Sequence, residues 1–135
     1  MANSAGLSLK ANTDFSRYLV NLIRNKSKHK KLYEYAQISE RMFQRIKAGR
    51  IPTKESLISI LVSLELGLDE VKTTLEKAGY TLSDSIAWDV VVKTFILEFE
   101  NTGNYENAAY IINDVLYDMD MPLLMTREKI FKSED

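Results

Sequence analysis

The chain has no cysteine and only one histidine, His29, among its 135 residues. Disulfide bonds and thiolate metal sites are therefore excluded, and the usual zinc ligand sets cannot be assembled from one histidine. A lack of cysteine also agrees with a reducing compartment. We expect no metal site and no cofactor.

Long apolar runs are also missing. The N-terminal residues MANSAGLSLKANTD contain no apolar stretch of the kind found in a cleavable signal peptide. Nowhere does the sequence approach the roughly 18 uninterrupted apolar residues of a membrane span. With 45% apolar residues the chain still has enough hydrophobic side chains for a core. We therefore expect a soluble, cytoplasmic protein without a membrane partner.

The residue patterns of common active sites are absent as well. The sequence has no nucleophile paired with a base, no phosphate-binding glycine loop and no metal-ligand spacing, and His29 has no acid–base partner in sight. The carboxylates of Glu106, Asp114, Asp118 and Asp120 fall on the polar face of a predicted amphipathic helix, where solvation explains them better than metal binding. We therefore expect that the protein is not an enzyme.

Charge, by contrast, is distributed very unevenly along the chain. Residues 1–60 hold 12 lysines and arginines against 4 aspartates and glutamates, a net charge of +8. Residues 61–135 hold 6 basic against 15 acidic residues, a net charge of −9. Such an asymmetry is expected when one half of a protein faces phosphate and the other half must not.

Apolar residues recur at helical spacing along most of the chain, which predicts an all-α fold. Thr13, Ser39, Pro52, Asp69 and Ser83 mark the predicted helix starts. The segment 83–100 also contains valines typical of strands, but its length and the Ser83 cap favour a buried helix. The clearest stripes are Phe15, Tyr18, Leu19, Leu22 and Ile23; Leu57, Ile60, Leu61 and Leu64; Val71, Leu75 and Ala78; and Ala108, Ile111, Ile112, Val115, Leu116 and Met119.

Residues 29–57, HKKLYEYAQISERMFQRIKAGRIPTKESL, carry the most informative pattern. Two short helices are predicted, joined by a tight turn at residues 36–39, and Ser39 is suited to cap the second helix over residues 40–47. In that helix Phe43 and Ile46 face inward. A DNA-reading helix-turn-helix is built in this way. The preceding RNKSKHKK holds five cations in eight residues, which fit a phosphate clamp and a solvated linker about equally well.

This motif resembles the helix-turn-helix of the Cro and phage-repressor (XRE-type) family, over residues 15–68. Further on, LELGLDEVKTTLEKAGYTLSDSIAWDVVVKTFI and MPLL resemble the back half of small bacterial regulators of that family. The resemblance implies a five-helix repressor-like helix-turn-helix bundle extended by two C-terminal helices. The residues that carry the helix-turn-helix likeness are Ala36, Ile38, Ser39, Phe43, Ile46, Gly49, Pro52 and Leu57.

By position, the resemblance places the residues after the Ser39 cap in the major groove of DNA. Arginine can bind guanine through two hydrogen bonds and glutamate can accept from cytosine. Phosphate contact and an ordinary solvated face are the alternatives for the arginines. The candidate base-reading residues are Glu40, Arg41, Gln44 and Arg45. The candidate DNA-backbone contacts are Lys28, His29, Lys30, Lys47, Arg50 and Lys54.

Two residues depart from the family pattern. Tyr33 stands where the family generally has a small alanine between the two helices, and Gln37 stands at the place of the turn glycine. A positive φ costs a residue other than glycine roughly 1 to 2 kcal/mol. We therefore expect a turn that is more open than in the family.

These observations divide the chain into a flexible tail (1–12), a helix-turn-helix DNA-binding domain (13–79), a C-terminal helical extension that is a candidate dimerisation surface (80–125) and a charged tail (126–135). The expected function is a sequence-specific transcriptional regulator that binds double-stranded DNA as a homodimer. The alternative is a protein-interaction module that keeps a repressor-like scaffold without specific DNA readout. In either case the acidic C-terminal half is a candidate surface for a protein partner.

Overall fold

The computed structural model describes the backbone of residues 2–124 and the side chains of residues 14–124. This part of the chain contains helices and no strand, so the predicted all-α class is confirmed, including a helix for the ambiguous segment after residue 83. No helix in it is long and apolar enough to cross a membrane. The helices are α1 (Ala2–Lys26), α2 (Leu32–Ala36), α3 (Glu40–Lys47), α4 (Lys54–Ser63), α5 (Leu68–Lys77), α6 (Ala87–Thr102) and α7 (Ala108–Asp118).

Helix α4 is the centre of the core. Six consecutive residues, 57–62, are buried, so this helix has no solvent-facing stripe along that stretch. It packs against α2, α5 and α7, which explains why it is apolar all round. Its N-cap is Thr53, whose hydroxyl accepts a hydrogen bond from the Ser56 amide at 3.1 Å. The predicted start at Pro52 is thus correct to within one or two positions.

The basic half of the chain is arranged around α3. Helix α1 packs against α3, and α2 contacts both α3 and α4. The predicted inward stripe of α1 is confirmed, since Phe15, Leu19 and Ile23 are buried. As a result α3 is fixed on its inner side by two other helices.

The acidic half of the chain covers the same core from the other side. Helix α6 packs on α5 and α7, and α7 packs on α2 and α4. After α7 the chain turns back, and the buried side chain of Leu124 confirms the predicted apolar contact of residues 123–124 with the core. Residues 13–79 and 80–124 therefore share one hydrophobic cluster.

Several helix starts differ from the prediction. Helix α1 begins at Ala2, so residues 2–12 belong to a helix and Thr13 does not cap it. The alanines and leucines of this stretch are good helix formers, which outweigh one internal glycine. The N-cap of α5 is Gly67 instead of Asp69, because the Leu68 amide donates to Glu100 Oε1 of α6 at 3.1 Å. The predicted charged tail at 126–135 lies outside the described residues.

Helix α6 also starts later than predicted. Its first residue is Ala87 and its N-cap is Ile86, so the predicted cap at Ser83 is wrong. The Ser83 amide instead donates to Asp89 Oδ2 at 2.7 Å, which holds residues 83–86 as a loop over the first turn of the helix.

Candidate nucleic-acid interface

Helices α2 and α3 are joined by the three residues 37–39. Ile38 is buried and anchors the connection to the core. Ser39 caps α3, since its hydroxyl accepts from the Met42 amide at 3.0 Å. The predicted turn, the Ser39 cap and the extent of α3 all agree with the structure.

Gln37 adopts the left-handed conformation that glycine would take, with φ 59° and ψ 38°. The expected opening of the turn is therefore not found at this residue. The Ile38 amide donates to the carbonyl of Tyr33 at 3.0 Å, closing the end of α2. This conformation costs roughly 1 to 2 kcal/mol of folding free energy, which contacts elsewhere in the protein must offset.

Tyr33 is accommodated beside α3. Its ring centroid lies 5.9 Å from that of Phe43, with the two planes tilted by 45°. Partial burial, and next the negative charge of Glu40, raise the pKa of the Tyr33 hydroxyl above its ordinary value. Tyr33 and Glu40 are thus neighbours, and the tyrosine packs along the side of α3.

The outward face of α3 carries two arginines. Phe43 and Ile46 are 4% and 1% exposed and hold the helix to the core. Arg41 and Arg45 are four residues apart on the opposite side, and both are exposed. Among the side chains of residues 14–124, neither arginine belongs to an ion pair. Their guanidinium groups are available to an external acceptor with several oxygen or nitrogen atoms.

The other two candidate base-reading residues differ in position. Gln44 is exposed and lies between the arginines and the flank of α3, so it joins their surface. Glu40 is also exposed, but it lies on the flank beside Tyr33. The structure therefore brings Arg41, Gln44 and Arg45 together and sets Glu40 at the edge of the group.

The C-terminal end of α3 adds two more cations. Lys47 is exposed, and its Nζ lies 5.4 Å from the centre of the Phe43 ring. Gly49 has φ 127°, a conformation that side chains disfavour, and it ends the helix. The Arg50 amide then donates to the carbonyl of Arg45 at 3.0 Å, which holds the exposed Arg50 next to the helix end.

Lys28 and His29 lie in a different environment from the one that the sequence suggested. Lys28 Nζ pairs with Glu65 Oε1 at 3.0 Å. The His29 ring stacks on Tyr35, with 3.7 Å between centroids, at the edge of a cleft of about 460 Å³ that Glu65 and Glu106 also line. Carboxylates at this cleft would repel a phosphate. Of the three candidates in this loop, only Lys30 is exposed without a carboxylate partner among the described side chains.

Lys54 forms an ion pair with a residue of α6. Its Nζ lies 2.9 Å from Asp89 Oδ1 and 5.4 Å from the centre of the Trp88 ring. The side chains of Lys54 and Asp89 are 23% and 3% exposed. This partly buried pair ties α4 to α6, so Lys54 is less available to a phosphate than an exposed lysine.

Sequence reasoning missed one residue that contacts this region, Asn113 of α7. Its Nδ2 donates to Gln37 Oε1 at 2.8 Å across 76 positions of sequence. In the sequence, Asn113 stands next to the apolar stripe that contains Ile112 and Leu116. A polar residue at such a position is normally buried only when it has a hydrogen-bond partner. The identity of that partner depends on the tertiary structure.

Comparisons with known proteins give no relative from which a role could be transferred. No protein-family model matches the chain, and neither the curated proteins nor the solved structures gave a significant match.

Proposed function

We propose that this protein is a sequence-specific DNA-binding regulator of the Cro and phage-repressor type, in which α2 and α3 form the helix-turn-helix and α3 enters the major groove. The observation that carries this proposal is the exposed pair Arg41 and Arg45, opposite the buried face of α3 and free of ion pairs among the described side chains. Each arginine can donate two hydrogen bonds to the O6 and N7 of one guanine, a contact that discriminates by about 1 to 3 kcal/mol.

The cations around α3 support the same proposal. Lys47 and Arg50 are exposed at its C-terminal end, and Lys30 is exposed in the loop before α2. Phosphate contacts from such residues position a reading helix without specifying sequence. Lys28, His29 and Lys54 are left out, because each has a partner inside the protein.

A second copy of the chain completes the proposal. One α3 reaches only a few base pairs, and two copies would read half-sites roughly 34 to 36 Å apart. Val90 and Leu97, seven residues apart on one face of α6, are exposed apolar residues, and Ile86 at the N-cap extends their stripe. We assign this stripe to the contact between copies. Sedimentation of the protein with Val90→Glu and Leu97→Glu tests the assignment, since the expected result is a monomer.

Selection from a pool of random DNA duplexes tests the function itself. The wild-type protein should enrich a two-fold related sequence, and Arg41→Ala with Arg45→Ala should abolish the enrichment. The matched control is Arg17→Ala with Lys72→Ala, which removes the same charge from α1 and α5 and should leave the selected sequence unchanged. Affinity for the selected duplex should fall steeply with salt, with a log–log slope of about −0.9 per phosphate contacted.

Two results would contradict this function. The first is a wild-type protein that enriches no sequence, and the second is equal enrichment by the double arginine variant and its control. A basic surface that binds no duplex would instead fit an acidic protein partner, which is the alternative role of the same scaffold.

A further inference from the structure

Asn113 connects the C-terminal half of the protein to the turn before α3 through a side-chain hydrogen bond. This α7 residue is 5% exposed, and both halves of its amide are used. Nδ2 donates to Gln37 Oε1 at 2.8 Å, and Oδ1 accepts from the Leu124 amide at 2.7 Å. A buried amide that satisfies two segments at once is held in one orientation.

The backbone angles of Gln37 contribute to the direction of α3. Gln37 lies in the left-handed region, it ends α2, and only Ile38 separates it from the Ser39 cap. An eight-residue helix is about 12 Å long, so a rotation of about 10° at the turn moves its far end by about 2 Å. A displacement of that size is enough to break hydrogen bonds between a side chain and a base edge.

The two neighbours of Gln37 in the turn are held by contacts of their own, in addition to the packing of α1 and α2 on the inner side of α3. Ser59 Oγ donates to the carbonyl of Ala36 at 2.8 Å, which fixes the end of α2 on α4. Ile38 is fixed by burial. The side chain between them is Gln37, and among the described residues its hydrogen-bond partner is Asn113.

We infer that Asn113 is a positioning residue for DNA recognition, through which α7 holds the α2–α3 turn and thereby the direction of Arg41 and Arg45. This inference rests on the proposed function for its effect on DNA, but the contact with the turn is a property of the fold. The C-terminal half would then control base reading without touching DNA.

Trp88 provides the matched control. Its Nε1 donates to the carbonyl of Pro122 at 2.7 Å, so it holds the same C-terminal segment as Asn113, and it makes no hydrogen bond to the turn. Trp88→Phe removes this bond and keeps an aromatic ring under Lys54. If Asn113 does no more than stabilise residues 121–124, its variants should have the same effects as Trp88→Phe.

The experiment measures amide hydrogen exchange by NMR and affinity for the selected duplex on the full chain. Asn113→Ala should speed exchange at Gln37 and Ile38 by about tenfold and weaken specific binding by a similar factor, with non-specific binding unchanged. Trp88→Phe should speed exchange only around Met121 and leave specific affinity within about twofold.

A second pair of variants makes the test specific to the bond and independent of the alanine variant. Gln37→Glu can still accept from Asn113 Nδ2, whereas Gln37→Met has a side chain of similar length but no oxygen to accept this bond. Gln37→Glu should therefore keep the exchange protection of Ile38, and Gln37→Met should lose it.

The outcomes separate the two proposals. Unchanged exchange at Gln37 and Ile38 in Asn113→Ala, or equal protection of Ile38 in Gln37→Met and Gln37→Glu, overturns the positioning role. Faster exchange with unchanged specific affinity also overturns it. If the wild-type protein selects no DNA sequence, the proposed function fails, while the exchange data still decide whether Asn113 holds the turn.

Discussion

Replacing Lys54 by methionine should destabilise the protein strongly, because it leaves Asp89 buried without its cation. The Lys54–Asp89 pair spans 2.9 Å, and Asp89 is 3% exposed at its side chain. Removing one partner of a buried ion pair typically costs about 3 to 5 kcal/mol. Since the lysine is 23% exposed and water partly screens the pair, we expect about 2 to 4 kcal/mol here. That is a large part of the roughly 5 to 15 kcal/mol that stabilises a typical domain.

Urea denaturation followed by circular dichroism measures this loss as a fall in midpoint at constant slope. Lys28→Met is the matched control, because the Lys28–Glu65 pair has a similar distance of 3.0 Å but its lysine is 68% exposed. Breaking such a surface pair should cost less than about 1 kcal/mol. In the double variant Lys54→Met with Asp89→Asn, part of the stability should return, because no unpaired charge stays buried and the amide oxygen can still accept from the Ser83 amide.

Equal effects of Lys54→Met and Lys28→Met would refute this reasoning, and so would a double variant that is less stable than Lys54→Met alone. The same variants separate the structural role of Lys54 from the DNA-backbone role that the sequence suggested. With an internal role, Lys54→Met should leave the salt dependence of DNA binding unchanged in conditions where it is folded.

Further variants test the turn, the cap and two partly buried tyrosines. Ser59→Ala should cost about 1 to 3 kcal/mol in urea denaturation, because the carbonyl of Ala36 loses its buried partner. Ser39→Ala should cost about 1 kcal/mol and reduce the helix signal, through loss of the α3 cap. Burial, and then nearby carboxylates, raise the pKa of Tyr80 and Tyr105 above 10, so both phenols stay neutral in the fold at pH values where they ionise in the unfolded chain. Their contribution to stability is complete below about pH 10 and lost as the pH rises through the folded pKa, and the Phe variants should show a smaller alkaline loss of stability.

The sequence correctly predicted features that depend on the residues of a single helix. Apolar spacing predicted α7 and the inward side of α1, and the Ser39 cap predicted the start of α3. The exposure of Arg41 and Arg45 followed from Phe43 and Ile46 on the other side of the same helix. These are local properties, since a helix repeats within a few residues.

Contacts between residues far apart in the sequence account for most of the features that the sequence did not predict. The start of α6 depends on the hydrogen bond from the Ser83 amide to Asp89, and that of α5 on a carboxylate supplied by Glu100. Two of the predicted DNA-backbone lysines, Lys28 and Lys54, pair with acids 37 and 35 positions away, Glu65 and Asp89. No rule of spacing identifies such partners.

The burial of α4 on all sides has a consequence for how the protein can be divided. Because α7 packs on the same helix as α2 and α5, a fragment that ends at residue 79 would leave part of α4 facing water. Such a fragment is expected to aggregate instead of folding as an independent domain. Grafting α1 to α5 onto another protein would therefore require a substitute cover for α4, and the natural one, α7, brings Asn113 with it.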